Sequence, residues 1–326
     1  MTRLAAVAAS AVLTLAACAS ADDDSAAPTP TAPVASATSV EPAPPSTTSV
    51  APSTTATTPP SQPDDLTATD ALGEPVAPAS AAELAERLSH VESRLRTEGA
   101  AAEDTLGHQQ QVLYRALIRN PAWQPEVFER LGPAEAGRAQ AMVAAGTSSS
   151  GSVGSPLDHI PAWRIRSPLP AGELLALYRT AEADTGVPWS VLAAIHLVET
   201  RMGRIEGLSS AGAKGPMQFM PATWAAYGGG GDVSSDADAI AAAGRLLSDS
   251  GAPDDLPAAV FAYNHSDDYV NAVLGYHQVL SEHPWLYEAL HDWQVYVSTT
   301  QGVLWLPEGY ESAEPVPVSE YVASRE

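Results

Sequence analysis

Large apolar side chains are scarce over residues 19–79 and recur at helical spacing from residue 80 onward. Ser80-Ala81-Ala82-Glu83 is a capping-box pattern, and Leu84, Leu88, Val91 and Leu95 follow at steps of four, three and four. That spacing predicts an amphipathic helix to about Thr97. A second helix is predicted over 103–118, with Leu106, Leu113 and Leu117 on one side and Asn120-Pro121 as its stop. Pro125 opens a short helix carrying Val127, Phe128 and Leu131, and another runs from Pro133 to Ala145. Residues 146–157 are rich in Gly and Ser and read as a linker. Beyond His159, Gly and Pro punctuate further helical stretches: Glu173–Ala183, Pro188–Met202 ending at Gly203, 221–227, 236–249 capped by Ser235, 256–264, and Ser266–Ser281. Trp293–Leu306 is rich in β-branched and aromatic residues around Thr300-Gln301-Gly302, which predicts a hairpin. The fold class expected from this pattern is mainly α, without internal repeats.

Composition then narrows the partners. The chain has 326 residues and a formal net charge of -23, with 39 acidic against 16 basic side chains. A nucleic-acid partner needs a basic face, so none is expected. Lys214 is the sole lysine, and the Ala/Arg richness is a bias that a high-GC genome produces. Residues 19–79 are Ala, Pro, Ser, Thr and Asp, too poor in apolar surface to offset ordering entropy. As a flexible tether of about 60 residues they would span roughly 40 Å. Met1-Thr2-Arg3 precedes an apolar run, Leu4–Leu15, too short to span a bilayer. It ends in Leu15-Ala16-Ala17-Cys18, and Cys18 is the only cysteine, so no intramolecular disulfide can form. This segment resembles a bacterial lipobox, which implies removal of residues 1–17 and lipidation of Cys18. The protein would then sit on the outer face of the cytoplasmic membrane, facing the cell wall, and touch the membrane through its anchor alone.

One carboxylate stands out. Leu192, Ile195, Glu199 and Met202 are spaced three, four and three apart and share a helix face. A carboxyl on an apolar stripe is unusual, and desolvation would raise its pKa toward what a general acid needs near neutral pH. A structural glutamate paired with a buried Arg would fit the same spacing. The stretch that follows reads Ser209-Ser210-Ala211-Gly212-Ala213-Lys214-Gly215-Pro216-Met217-Gln218-Phe219-Met220-Pro221-Ala222-Thr223, and later comes Ala262-Tyr263-Asn264. Together with Glu199 these blocks resemble the SLT-type lytic transglycosylases of the lysozyme-like superfamily, in a bacterial lipoprotein of actinobacterial type. The resemblance covers about 160–282. Pro216 stands where many members have Leu, His265-Ser266 where Ala-Gly is common, and Thr200 where Ser is common; Phe219 and Trp224 are similar to the membrane-bound branch.

The resemblance implies a lysozyme-like helical catalytic domain over 158–306, after a signal peptide (1–17), a lipidated stalk (18–79), a small helical segment (80–145) and the linker 146–157, with 307–326 as a tail. It implies non-hydrolytic cleavage of the MurNAc–GlcNAc β-1,4 bond in peptidoglycan glycan strands by a monomer without cofactor or metal. Glu199 would be the single acid/base and Tyr263 would orient it. Ser209, Met217 and Gln218 would line the sugar cleft and Asn264 would fix the Tyr263 loop, although packing explains Met217 and Asn264 equally well. A muramidase, which uses two carboxyls, is the rival; Glu206, Asp232, Asp236, Asp267 and Asp268 are the candidates for its second. A non-catalytic wall-binding lipoprotein is a further alternative. Wall peptidases are disfavoured: Cys18 is committed to the anchor, Ala211 stands three residues before Lys214, and no His-Glu-x-x-His occurs. His265, His277, His283 and His291 are scattered rather than clustered as ligands.

Overall fold

The computed structural model describes residues 68–100, 105–151 and 155–325. The expected signal peptide, Cys18 and stalk residues 19–67 lie outside the described residues. Within them the molecule is mainly helical. The N-terminal helices are α1 (Ala81–Glu98), α2 (Leu106–Arg119), α3 (Gln124–Leu131) and α4 (Pro133–Gly151), with a 3-10 turn at Pro121–Trp123. After them come β1 (His159–Ile160), β2 (Arg164–Ile165), α5 (Ala171–Thr185), α6 (Trp189–Thr200) and β3 (Ile205–Glu206). The remainder is α7 (Pro221–Tyr227), α8 (Asp236–Asp249), α9 (Leu256–Tyr263), α10 (Asp267–Glu282), α11 (Leu286–His291), β4 (Val295–Thr299), β5 (Gly302–Leu306), β6 (Val316–Pro317) and α12 (Val318–Ala323). No helix among the described residues is long and apolar enough to cross a membrane.

Local chemistry accounts for the boundaries. Ser80 Oγ accepts from Glu83 N (3.2 Å) while Glu83 returns a carboxylate to Ala79 N (2.9 Å), so two orphan donors at the start of α1 are satisfied. Ser235 and Ser266 cap α8 and α10 in the same way, accepting from Asp238 N and Tyr269 N. The hairpin forms in the predicted place, with Val295 opposite Leu306 and Thr299 opposite Gly302.

Three expected boundaries differ. The stalk was placed over 18–79, yet residues 68–79 fold back on the body: Asp70 N donates to Glu74 O (2.8 Å), Val76 N to Ala68 O (3.0 Å), and Pro75 and Pro78 are buried. Asp70 Oδ1 also accepts from Leu72 N and Glu74 N, so an Asp-initiated turn supplies the order that apolar content does not. The linker 146–157 is helical as far as Gly151, because α4 packs along α10 and tertiary contact overrides the low propensity of Gly and Ser. Of the tail 307–326, residues 307–325 fold too. Its β6 pairs antiparallel with β1, and Val318 and Tyr321 join Ile160, Trp163, Ile165, Val295, Val297 and Leu306 in a small second core.

The helical segment 80–145 is not separate either, since one apolar core runs continuously from Leu84 through Ile195 to Trp293. α4 and α10 approach closely. A Cβ on Gly275 would lie 2.8 Å from that of Ala145, so only a glycine admits this contact. A buried polar knot ties α1, α2 and α4 together. Glu92 accepts from Tyr114 Oη (2.7 Å), Gln110 Nε2 (3.1 Å) and Arg138 Nε (2.9 Å), and Arg138 Nη2 also bonds it. Such a pair is satisfied only as a whole, because removing one partner leaves a buried charge uncompensated. Glu92→Ala is therefore expected to cost about 3–5 kcal/mol, read as a fall in the urea midpoint; a loss under about 1 kcal/mol would show that the knot is not desolvated.

Candidate active site

The site is built around α6. Every residue of this helix except Val198 is buried, so it is a core helix rather than an amphipathic one. The stripe that the sequence suggests, Leu192, Ile195 and Glu199, is buried as expected, and so are the other faces. α5, α8 and α10 pack against it. Glu199 stands on its last turn with 7% of its surface exposed.

The chain leaves α6 through a strained turn. Arg201 and Met202 have φ of 55° and 58°, and Gly203 has 86°. Gln218, at 48°, is the other non-glycine residue with positive φ among the described residues. All of them fall between the end of α6 and the start of α7. Left-handed backbone at non-glycine residues costs of order 1–3 kcal/mol and persists only where surrounding contacts over-determine it. Here those contacts are visible. Arg201 Nη1 donates to Leu197 O (2.6 Å) and Met202 N to His196 O (3.0 Å). Thr200 Oγ1 accepts from Gly203 N (3.0 Å) and donates to Pro216 O (2.6 Å).

Glu199 Oε1 accepts from the hydroxyl of Tyr269 at 2.7 Å. Burial pushes the Glu199 carboxyl up to about 8, against a smaller downward pull from the Tyr269 bond. No other carboxylate contributes to that shift. The group is thus protonated at neutral pH, with one oxygen accepting from Tyr269 and a proton to give from the other.

The resemblance implies that Tyr263 orients Glu199, whereas the hydroxyl that bonds the carboxyl belongs to Tyr269. Tyr263 Oη donates to Met217 O (2.6 Å), pinning the 213–219 loop instead. The two tyrosine rings lie parallel, 5° apart in tilt with centroids 6.4 Å apart, so Tyr263 backs Tyr269 without touching the carboxyl through a hydrogen bond. Tyr269 was missed because it lies outside the motif blocks. Its signal was its place on the buried stripe of α10 with Val273 and Tyr276.

The contacts of the remaining expected residues serve the loop and the helix end they stand on. Ser209 Oγ accepts from Ala213 N (2.9 Å), closing a tight turn. Met217 is wholly buried in the core. Gln218 Nε2 donates to Gly215 O (2.9 Å), while its Oε1 is buried without a partner. Asn264 ends α9, is 2% exposed, and its Oδ1 likewise has no partner. Two buried acceptors left open in this way are costly unless a bound molecule or water donates to them. The rival second carboxyls are engaged elsewhere. Asp236 bonds Arg166 (3.1 Å), Glu206 pairs with Arg166 (2.9 Å), Asp232 accepts from Ser234 N, and Asp267 and Asp268 sit in the first turn of α10.

A second buried group lies one turn before Glu199. His196 Nδ1 meets Tyr178 Oη at 2.7 Å, and its Nε2 is 3.5 Å from Asp236 Oδ1. Burial holds His196 down at about 3, so it is neutral and the contact with Asp236 is not an ion pair. A Cβ on Gly203 would stand 2.8 Å from the same Asp236 oxygen, which adds to the need for glycine at that positive φ. His291 Nε2 bonds Leu169 O and His277 Nδ1 bonds Ser190 Oγ, both roles within the fold. Among the described residues no group of three or more His, Cys, Asp or Glu could hold a metal.

An open cavity of about 520 Å³ lies beside this turn, lined by residues that include Gly203, Leu208, Lys214 and Pro216. Glu199 is not among its lining residues, and the link is Thr200, bonded to both Gly203 and Pro216. No family model matches the chain, and neither a curated protein nor a solved structure matches it.

Two outcomes follow from the carboxyl. Below about pH 4.5 Glu199 is protonated in folded and unfolded chains alike; above it the unfolded chain ionises, and the folded chain follows only near pH 8. The unfolded state therefore binds fewer protons across that window, and stability falls as pH rises through it. Glu199→Gln removes the loss while keeping an acceptor for Tyr269. Its melting temperature should exceed that of the parent by a margin that grows from pH 4.5 to 8 and then levels; a margin independent of pH would show that the carboxyl is not raised. Tyr269→Phe deletes the interaction that lowers this pKa. The same titration, or carboxyl NMR, should place Glu199 higher in Tyr269→Phe and leave it in place in Tyr263→Phe, and equal shifts in both would contradict the assignment.

Proposed function

We propose that the chain is a lytic transglycosylase with a lysozyme-like catalytic domain, cleaving peptidoglycan glycan strands with Glu199 as its only acid and base. The observation that carries this reading is the buried, protonated Glu199 beside Tyr269, at a helix end where the backbone is strained. Strain of this kind clusters at functional sites. The motif blocks around Glu199 supply the substrate class. The short N-terminal stretch ending at Cys18 supports the placement as a lipid-anchored protein facing the wall.

The chemistry follows from one carboxyl in a dry site. Protonated Glu199 donates to the glycosidic oxygen as the bond to C1 of N-acetylmuramic acid breaks. The carboxylate so formed is poorly solvated and strongly basic, steadied by the Tyr269 hydroxyl. It takes the proton from the muramoyl C6 hydroxyl as that oxygen bonds to C1. The proton returns to Glu199, no water is consumed, and a 1,6-anhydro ring results. A hydrolase would need a second carboxylate poised to activate water or attack C1. The carboxylates considered for that role are tied to Arg166 or to turn and helix-start positions, which favours the single-carboxyl mechanism.

Mass spectrometry of digested peptidoglycan tests the proposal. The expected products carry anhydromuramic ends, and Glu199→Gln should lower turnover at least about a hundredfold with the fold intact. Reducing muramic ends would replace this reading with a muramidase. No cleavage by the parent chain would favour a wall-binding lipoprotein.

A further inference from the structure

The turn after Glu199 is closed from outside by the start of α8. Two glycines meet that segment, each at positive φ. A Cβ on Gly203 would stand 2.8 Å from Asp236 Oδ1 and 3.3 Å from both Arg166 Nη2 and His196 Nε2. A Cβ on Gly215 would collide with the carbonyl oxygen of Val233. The strained turn and the motif loop therefore rest on one stretch, residues 233–236, and Thr200 Oγ1 joins them to each other through Gly203 N and Pro216 O. Side chains from three parts of the chain converge at Gly203. Asp236 Oδ2 accepts from Arg166 Nη2 (3.1 Å), and Arg166 N donates to Arg204 O (3.0 Å), so this arginine holds both the carboxylate and the exit of the turn. Asp236 Oδ1 is buried without a hydrogen bond and faces His196 Nε2 at 3.5 Å. One tautomer of the histidine would set a lone pair against that carboxylate. In the other, Nδ1 accepts from Tyr178 Oη (2.7 Å) and Nε2 turns its hydrogen toward Asp236.

We propose that Asp236 is a positioning residue for Glu199: with Arg166 and His196 it clamps Gly203, keeps the left-handed turn shut, and so holds the carboxyl in its dry place at the helix end. The inference rests on the reading of Glu199 as the acid and adds a residue to that site. Asp236 acts through the Gly203 backbone and not by touching the carboxyl. Its place in α8 does not account for it. Ser235 already caps that helix and Asp238 already puts an acid in its first turn. An acid serving only the helix dipole could stand in water, yet Asp236 is 7% exposed, and burial raises its carboxyl against the pull of Arg166. Arg201, Met202 and Gly203 form a left-handed run that is unfavourable by itself and relaxes unless it is held. Relaxation would admit water to Glu199, whose protonation at neutral pH depends on burial.

Carboxyl NMR on the full chain tests this without substrate. In Asp236→Ala, Glu199 should titrate well below about 8, toward 4.5, because the turn loosens and water enters. Asp236→Asn keeps the shape and an acceptor for Arg166, and should restore most of the parent value. Gly203→Ala, whose methyl meets Asp236, should lower the titration as well. The double variant should move it less than the two single changes summed, since both act at one contact. Arg166→Gln frees the same carboxylate and gives a second reading should Asp236→Ala not fold. On glycan strands Asp236→Ala should lower kcat about ten- to a hundredfold with KM little changed, since placement and not binding is lost. A Glu199 titration that stays at the parent value in Asp236→Ala and Arg166→Gln, with only the melting temperature lowered, overturns the proposal, because a merely structural carboxylate behaves that way. A coupled shift in a chain that cuts no glycan keeps Asp236 as the residue that sets the Glu199 site and loses the transglycosylase reading. An active chain with an unmoved titration does the reverse.

Discussion

Desolvation of a single carboxyl on a fully enclosed helix is the constraint around which this molecule is arranged. α6 has no solvent face to spare, so Glu199 can be tolerated only as a neutral acid with a partner for its oxygen. Tyr269 provides that partner from α10, and the backbone turns sharply within two residues of the carboxyl. Ordinary stability would be served better by a leucine at this place. A fold that keeps an ionisable group there, next to strained backbone, gives up stability that a purely structural role would not require.

That arrangement explains the N-terminal helices. α10 lies between α6 and α4, so the face opposite Tyr269 needs a surface to pack on. α4 supplies it through the Gly275–Ala145 contact, and the Glu92 knot holds α4 to α1 and α2. α2 in turn reaches the hairpin, where Gln111 exchanges two hydrogen bonds with the backbone of Gln294 as a strand neighbour would. Residues 80–151 thus act on the site at one remove, by fixing the helix that carries Tyr269. In the proposed mechanism this is positioning, and it needs no residue of those helices to meet substrate.

The helices were legible in the sequence wherever periodicity and caps agreed. Ser80, Ser235 and Ser266 open helices where predicted, and the hairpin around Thr300-Gln301-Gly302 forms in its place. Glu199 was legible as an odd carboxyl because its neighbours at three and four residues are apolar. What one dimension could not hold is which hydroxyl meets it. Tyr263 and Tyr269 are close in sequence and parallel in space, and only the way α9 and α10 pack decides that Tyr269 reaches the carboxyl while Tyr263 turns to Met217. The same holds for α4, whose Gly- and Ser-rich end is helical through contact with α10, and for the C-terminal segment 307–325, where β6 pairs with the distant β1. Local sequence sets propensity and which face is apolar; long-range packing sets the final few ångströms, and hydrogen bonds are made or missed within that distance.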